Sequence, residues 1–204
     1  MTDDDPYRMF LVLRKGAIAA QERACALGGA AAVACVRGFA MPDEWRARPG
    51  KICLRARNPS QWEQALGEEH ALAGDADGEA VLAIPPRRRS ERGPVLTRLQ
   101  AMSSELEPLG AEAAGDVVFA VNPRYEMSSG KLVAQVAHAA VMAADSGALE
   151  DWVAAGCPSG VFRPASSAAF DALCGSSSCV GKVEDAGLTE VPPGTVTVVA
   201  LASP

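Results

Sequence analysis

The chain has 204 residues, 49% of them hydrophobic and 22% charged, a balance ordinary for a globular protein with one large core or two small ones. A net charge of -6 argues against a general nucleic-acid binder, which needs excess Lys and Arg to neutralise phosphates, but it leaves room for a local basic patch. With aromatics at 5%, Ala, Val and Leu must fill most of the interior, and such small side chains suit helices laid close on a sheet.

Met9-Phe10-Leu11-Val12-Leu13 reads as a buried strand. The Ala-rich stretch after Gly16 predicts a helix to about Val36, with a break at Gly28-Gly29. Ile52 to Arg57 alternates apolar and basic residues and predicts a second strand. Asn58-Pro59-Ser60 then opens a short helix through Trp62 and Leu66 behind a polar cap. Ala80 to Ile84 predicts a third strand, ended by Pro85-Pro86. Arg87, Arg88, Arg89 and Arg92, closed by Gly93, read as a basic loop and a candidate RNA contact. Leu96 to Leu109 has helical spacing and predicts a connector helix closed by Pro108 and Gly110.

The second half repeats the plan. Val117 to Val121 is a buried strand, and Ser128 or Ser129 caps a helix to about Ala144. Gly160 to Arg163 is a short strand, Pro164 to Leu173 a turn plus helix, and Cys179 to Val183 another strand. Pro192-Pro193-Gly194 turns into a last strand, Thr195 to Leu201. The reading divides the chain into an α/β half at 1–86, a basic loop and connector helix at 87–114, and a second α/β unit at 115–204. Gly16–Ala24 lines up with Gly130–His138, and Leu54, Arg55 and Trp62 with Phe162, Arg163 and Phe170. In that alignment Ala17 stands where the later half has Lys131, Ala24 where it has His138, and Gln21 is retained. Asp75-Ala76-Asp77-Gly78 looks too short to match the later half's ending. The leading half is therefore expected to be a degenerate copy of the same fold, making one chain imitate a homodimer; a monomer or a weak homodimer follows.

The six cysteines, Cys25, Cys35, Cys53, Cys157, Cys174 and Cys179, form no CxxC pair, and the histidines are His70 and His138. This argues against a structural zinc site; no metal or cofactor is expected. The acidic opening MTDDDPYR has no basic and apolar leader pattern, and no run is apolar enough to span a bilayer. Free thiols in a reducing cytoplasm, with no membrane partner, are the simplest reading.

The chemistry concentrates in two segments. Lys131 falls in the first turn of a helix, where a cation opposes the macrodipole and an acid would serve stability better. The backbone N–H groups of Ser129, Gly130 and Lys131, together with the ammonium, predict an anion site. Lys131, Gln135 and His138 share one helix face, although for His138 alone a satisfied, partly buried imidazole is the favoured reading. In the second segment Asp185 follows a strand, and Thr195 and Thr197 lie two apart on the next, so they face one side. Ordinary strand propensity also accounts for the threonines.

GKLVAQVAHAA at 130–140 resembles the GKxAAQxxHA helix of the peptidyl-tRNA hydrolases of the archaeal and eukaryotic type. DAGLTEVPPGTVTVVAL at 185–201 resembles that family's DAGxTExxPGTxTVLAI ending. The resemblance covers roughly Asp116 to Pro204; a degenerate half before a motif-bearing half is similar to bacterial members. It implies a mixed four-stranded sheet flanked by helices and hydrolysis of the ester that links peptide to tRNA, with peptidyl-tRNA as the partner. It also implies functional roles for Lys131, Gln135, Asp185 and Thr197, with His138 on the motif histidine and Ser129, Gly130, Thr189 and Thr195 nearby. Lys131, Asp185 and Thr197 are the expected catalytic groups. Asp185 would orient or activate water and Lys131 stabilise the oxyanion or hold the terminal phosphate, as ester hydrolysis requires. Ser128 and Ser129 sit in no GxSxG elbow, which disfavours a covalent route.

One departure stands out. Where the family carries a lysine-rich second strand, this chain reads Ser159-Gly-Val-Phe-Arg163-Pro. Residues 116–203 hold four Lys and Arg against nine Asp and Glu, which repels RNA at long range. Basic residues gather instead in the leading half, at Arg55, Arg57, Arg87, Arg88, Arg89 and Arg92. Two further readings stay open: a non-catalytic RNA- or ligand-binding relative, and a hydrolase of another ester or amide.

Overall fold

The computed structural model describes residues 5–103 and 106–202. Met1 to Asp4 of the acidic opening, and Ser104 and Glu105 of the expected connector helix, lie outside them. The leading half runs β1 (Tyr7–Arg14), α1 (Gln21–Gly38), α2 (Asp43–Ala47), β2 (Gly50–Ala56), α3 (Pro59–Leu66), β3 (Ala71–Gly74) and β4 (Ala80–Arg88). A 3-10 turn at Arg89–Glu91, α4 (Gly93–Arg98) and β5 (Gln100–Ala101) lead out of it. The second half runs β6 (Val117–Val121), α5 (Ser129–Asp145), α6 (Glu150–Ala154), β7 (Ser159–Phe162), α7 (Ser167–Cys174), β8 (Cys179–Asp185) and β9 (Thr195–Ala202).

The fold is α/β, with two mixed sheets. The C-terminal sheet has four strands in the order β7-β6-β9-β8; the leading sheet has the order β3-β4-β1-β2-β5. Without β5 the two orders are the same. So are the strand senses: β1 and β2 are parallel, as are β6 and β7, and the other pairs are antiparallel. Details repeat as well. Trp45 Nε1 donates to the Gly50 carbonyl at 2.9 Å, and Trp152 Nε1 donates to the Pro158 carbonyl at 3.0 Å. Asn58 caps α3 by accepting from Gln61 N–H, and Ser166 caps α7 by accepting from Ala169 N–H.

The residue register differs from the sequence alignment. The constant spacing that carries Val12, Leu54 and Asn58 onto Ala120, Phe162 and Ser166 also carries the α1 cap Ala20 onto the α5 cap Ser128. Arg23 therefore stands at the place of Lys131, and Leu27 at that of Gln135. Ala17 lies in the turn before α1 and does not reach Lys131's place, nor Ala24 that of His138. Asp75 also differs from expectation: it follows β3 as Asp185 ends β8, and each carboxylate accepts from the N–H two residues on, of Asp77 and Gly187.

Several local readings are corrected. Gly28 and Gly29 do not break α1, which is continuous. Pro85 and Pro86 do not end β4; they form a bulge opposite Met9, where Arg8 pairs with Arg87 and Phe10 with Ile84. Proline is tolerated there because β3 pairs only with Ala80 to Ala83, so no strand needs its missing N–H on that side. Arg87 and Arg88 are thus strand residues rather than a loop. Arg87 pairs with Glu68 at 2.8 Å; Arg88 pairs with Glu44 at 2.6 Å and stacks on Tyr7. Arg92 lies over Phe10 and donates to the Leu96 carbonyl, while Arg89 is exposed. The connector helix stops at Arg98, after which the chain extends to pair Gln100 and Ala101 with β2.

α1 and α5 pack against each other in one layer between the two sheets. α1 also lies on β3, β4 and β7, and α5 on β8, β9 and β2. Alternation along β1 sends Met9, Leu11 and Leu13 into this shared core and Phe10 and Val12 outward, under Trp62 of α3 and Leu96 of α4. Ala120, Val199 and Leu201 face out under Phe170 of α7.

One cation intrudes on the shared layer. Lys51 of β2 is half-buried as a residue, but its Nζ is fully buried without a hydrogen-bond partner, 5.2 Å from the centre of the Trp45 ring. Burial pushes its ammonium down to about 7, against a smaller opposing pull from Asp145 and Cys35. Nearby His138 of α5 is pushed down to about 3, first by burial and then by Lys51. For a lysine with a depressed folded pKa, the unfolded chain binds more protons between the folded and unfolded values. The Lys51 penalty is therefore full below about 7 and shrinks as pH rises. The His138 penalty is confined to the acid side of its ordinary value, so between about pH 7 and 8.5, below the ordinary thiol range, Lys51 dominates. Stability should rise with pH in that window. Lys51→Met should be more stable than the parent at pH 7 by about 1–4 kcal/mol and lose that rise, as measured by urea unfolding at several pH values. A parallel pH dependence in both proteins would contradict it.

Candidate functional site

Four of the residues singled out in the sequence meet at the N-terminal end of α5. Lys131 Nζ is in direct ion-pair contact with Asp185 Oδ2, and the two side chains are only 13% and 8% exposed. Gln135, one turn further along α5, donates from Nε2 to the same Oδ2 at 2.8 Å. Thr197 of β9, fully buried, donates from Oγ1 to Gln135 Oε1 at 2.6 Å, with the Val183 carbonyl at 3.3 Å beyond it. An ionised carboxylate only accepts, so it fixes the Gln135 amide with Nε2 toward Asp185 and leaves Oε1 for the threonine. The chain of bonds Thr197–Gln135–Asp185–Lys131 is satisfied at every link.

Local folding explains the assembly. Asp185 is the last residue of β8, and the turn beyond it is closed by Gly187 N–H donating to Asp185 Oδ1 at 2.8 Å. Gly187 has φ +74, and a Cβ there would lie 2.4 Å from the nitrogen of Pro193, so only glycine lets the loop fold back on the Pro192-Pro193 turn. That return puts Thr189 Oγ1 3.2 Å from Lys131 Nζ. Burial pushes the Asp185 carboxyl up, but hydrogen bonds from Lys131 and Gly187 outweigh it, with help from Gln135, and hold the group below its ordinary value. Asp185 is thus ionised at neutral pH and weakly basic. Lys131 has three donors; Asp185 and Thr189 take two and one is left for a ligand.

Other expected site residues stand elsewhere. Ser129 is buried at 3% exposure and accepts from Gln21 Nε2 and from Leu106 N–H, each at 3.2 Å, so it fastens α5 to the leading half. Gly130 is a packing glycine: a Cβ would fall 2.1 Å from the Met102 carbonyl oxygen. His138 makes no hydrogen bond to the cluster and lies near Lys51. Thr195 is half-buried on β9, opposite Asp185 in the ladder. The helix N-terminus is not an open anion site either. Glu190 already fills it, accepting from Ser128 N–H and Ser128 Oγ at 2.7 Å each, while Ser128 Oγ accepts from Lys131 N–H at 3.3 Å.

Two contributors were not read from the sequence. Glu190 stands beside Thr189 in the same loop, but nothing local says that it caps a helix sixty residues earlier in the chain. Asn122, 3% exposed, donates to the Val196 carbonyl at 2.7 Å, and its backbone N–H donates to the Thr197 carbonyl at 2.9 Å, pinning β6 to β9 beside the site. A lone Asn between a buried strand and a proline was the available signal. Among the described residues, no group of three or more His, Cys, Asp or Glu side chains is placed to hold a metal ion, and no helix is long and apolar enough to cross a membrane.

Residues 116–203 match the family model of peptidyl-tRNA hydrolase PTH2, while no solved structure matches the chain. The match spans β6 through β9, every strand of the C-terminal sheet, and all four members of the bonded chain that ends at Lys131. Over residues 116–203 the chain is thus similar to the peptidyl-tRNA hydrolase PTH2 family.

Proposed function

We propose that the protein hydrolyses the ester between peptide and tRNA in peptidyl-tRNA, releasing free tRNA, in the cytoplasm. The observation that carries this is the contact of Lys131 with Asp185 inside a closed hydrogen-bond chain, in the half that matches the family model. The remaining Lys131 donor is suited to the carbonyl oxygen as it gains charge, in a site shielded enough to strengthen the attraction. Asp185, held ionised and weakly basic, suits orienting a water and steadying Lys131 better than removing a proton outright. Gln135 keeps one N–H for water or substrate, and Thr197 holds that amide in place. Thr189 and Thr195 border the mouth.

Residues 115–204 act in this reading as the catalytic unit. The leading half, 1–86, is a copy without catalysis, and one chain works as an internal pseudo-dimer. Support comes from the shared strand order and from Leu27 and Ala80 at the places of Gln135 and Thr197. A hydrolase of another ester is favoured by one observation, the excess of acids over bases in residues 116–203.

Lys131→Ala and Asp185→Asn should each lower release of peptide from a defined peptidyl-tRNA by roughly a hundredfold or more, with the native fold retained. Thr197→Val should lower it less than either, because it loosens Gln135 without removing a charge. Parent-like turnover in both charge variants would discard the assignment. A parent protein that cleaves simple acyl esters but not peptidyl-tRNA would favour the other hydrolase.

A further inference from the structure

We infer that the leading half holds the sugar-phosphate backbone of an RNA substrate in a cationic groove beside the first turn of α5. This rests on the proposed reading of the site and names the surface that reading lacks. The parallel strands β1 and β2 end side by side, with Leu13 opposite Arg55 and Lys15 N–H donating to the Ala56 carbonyl at 2.8 Å. Their exits bring Arg14, Lys15, Arg55 and Arg57 together. Two grooves of about 410 and 310 Å³ open there, and Arg14, Lys15 and Gly16 line both. Arg55 lines the first and Arg57 the second. Among the described residues lining them, Glu107 is the single acid.

Arg14, Lys15 and Arg57 are arranged to keep their charge available. Arg14 Nη2 donates to the carbonyls of Asp77 and Gly78, at 2.8 and 3.3 Å, which orients the guanidinium without neutralising it. Lys15 and Arg57 are exposed. Two adjacent grooves with spaced cations fit an extended polyanion better than one compact anion, and lower the electrostatic cost of bringing it in.

Position joins this groove to the site. Its far wall is Met102 and Leu106, and both bear on the first turn of α5: the Met102 carbonyl against Gly130, and Leu106 N–H on Ser129 Oγ. The next residue, Lys131, turns the other way, to Asp185. Groove and site thus adjoin the same first turn of α5. The C-terminal half offers little in its place. Arg124 is paired with Asp171, Lys131 with Asp185, and Arg163 is turned to the Tyr125 carbonyl, leaving Lys182 exposed on β8.

The test is binding of deacylated tRNA across a salt series, which needs no turnover. The double variant Lys15→Glu with Arg57→Glu changes two exposed side chains and should raise the Kd by about tenfold or more at 0.1 M salt. It should also flatten the slope of log affinity against log salt by about 1.4 or more, the counterion release of two phosphate contacts. The charge-keeping pair Lys15→Arg with Arg57→Lys should retain both affinity and slope. Unchanged affinity and slope in the charge-reversed protein would overturn the groove, as would a parent that binds no tRNA. A parent that binds tRNA through these residues yet releases no peptide from peptidyl-tRNA would overturn the hydrolase reading and leave the groove standing.

Discussion

The close packing of α1 on α5 is the contact on which the remaining architecture depends. A Cβ on Gly28 would stand 2.7 Å from Val133 Cγ1, and one on Gly29 would stand 3.1 Å from the Ala140 Cβ, so the helices approach as they do because α1 presents glycine there. Each glycine in a helix interior costs about 1 kcal/mol against alanine. Shared burial offsets that cost. The two helices form one layer in contact with both sheets, and the inner faces of β1 and β6 drain into a single core. Neither sheet could cover that face with its own helix alone, since α1 also lies on β7 and α5 on β2.

The site inherits its stiffness from this arrangement. Lys131 and Gln135 project from α5, whose first turn is held by Ser129 to Gln21 and Leu106 on one side and by Ser128 to Glu190 on the other. Gln21 and Ser129 are the first residues of α1 and α5, so the halves clasp each other at equivalent points of a repeated plan. The leading half, although it brings no residue into the Lys131–Asp185 bond chain, sets where that chain's helix begins. A lysine in a first helical turn opposes the dipole, and Glu190 at the cap supplies the negative charge that the turn would otherwise lack.

Elements buried on both faces were legible from sequence, because continuous apolar runs such as Phe10 to Leu13 and Val117 to Val121 allow few other readings. The elements that were missed are short and draw their stability from distant partners. β3 is a four-residue, half-exposed strand made regular by β4 alone, and α2 and α6 are single turns anchored by one buried tryptophan each. The start of α1 shows the limit best. Its cap, Ala20, makes no side-chain cap bond; the first helical N–H, of Gln21, is donated to the Glu107 carbonyl at 2.9 Å. No local signal marks such a start, whereas Ser128 announces that of α5. Aligning the halves by composition then slid Ala17 onto Lys131. In the site, chain spacing correctly put Lys131 and Gln135 on one face, but His138 lies about 10 Å further along the helix, beyond the reach of Asp185's hydrogen bonds and beside Lys51 of the other half.

With the register corrected, the leading half is not simply stripped of polar residues. It keeps a cation at the place of Lys131, Arg23, now paired with Glu79 at 2.9 Å, and it keeps Asp75 with the same turn-closing bond that Asp185 makes. The middle of the chain differs: Leu27 and Ala80 stand where Gln135 and Thr197 link strand to carboxylate. Gln135 and Thr197 are both buried. Losing one alone would strand the other's amide or hydroxyl in the core, at about 1–3 kcal/mol for an unsatisfied group. Losing both leaves an apolar contact with nothing unpaired. The exposed ends, Arg23 and Asp75, face water and carry no such penalty, so nothing in the energetics requires their removal. An apolar pair in the interior beside polar residues at the rim is thus the arrangement that leaves no buried group unsatisfied where the full network is absent.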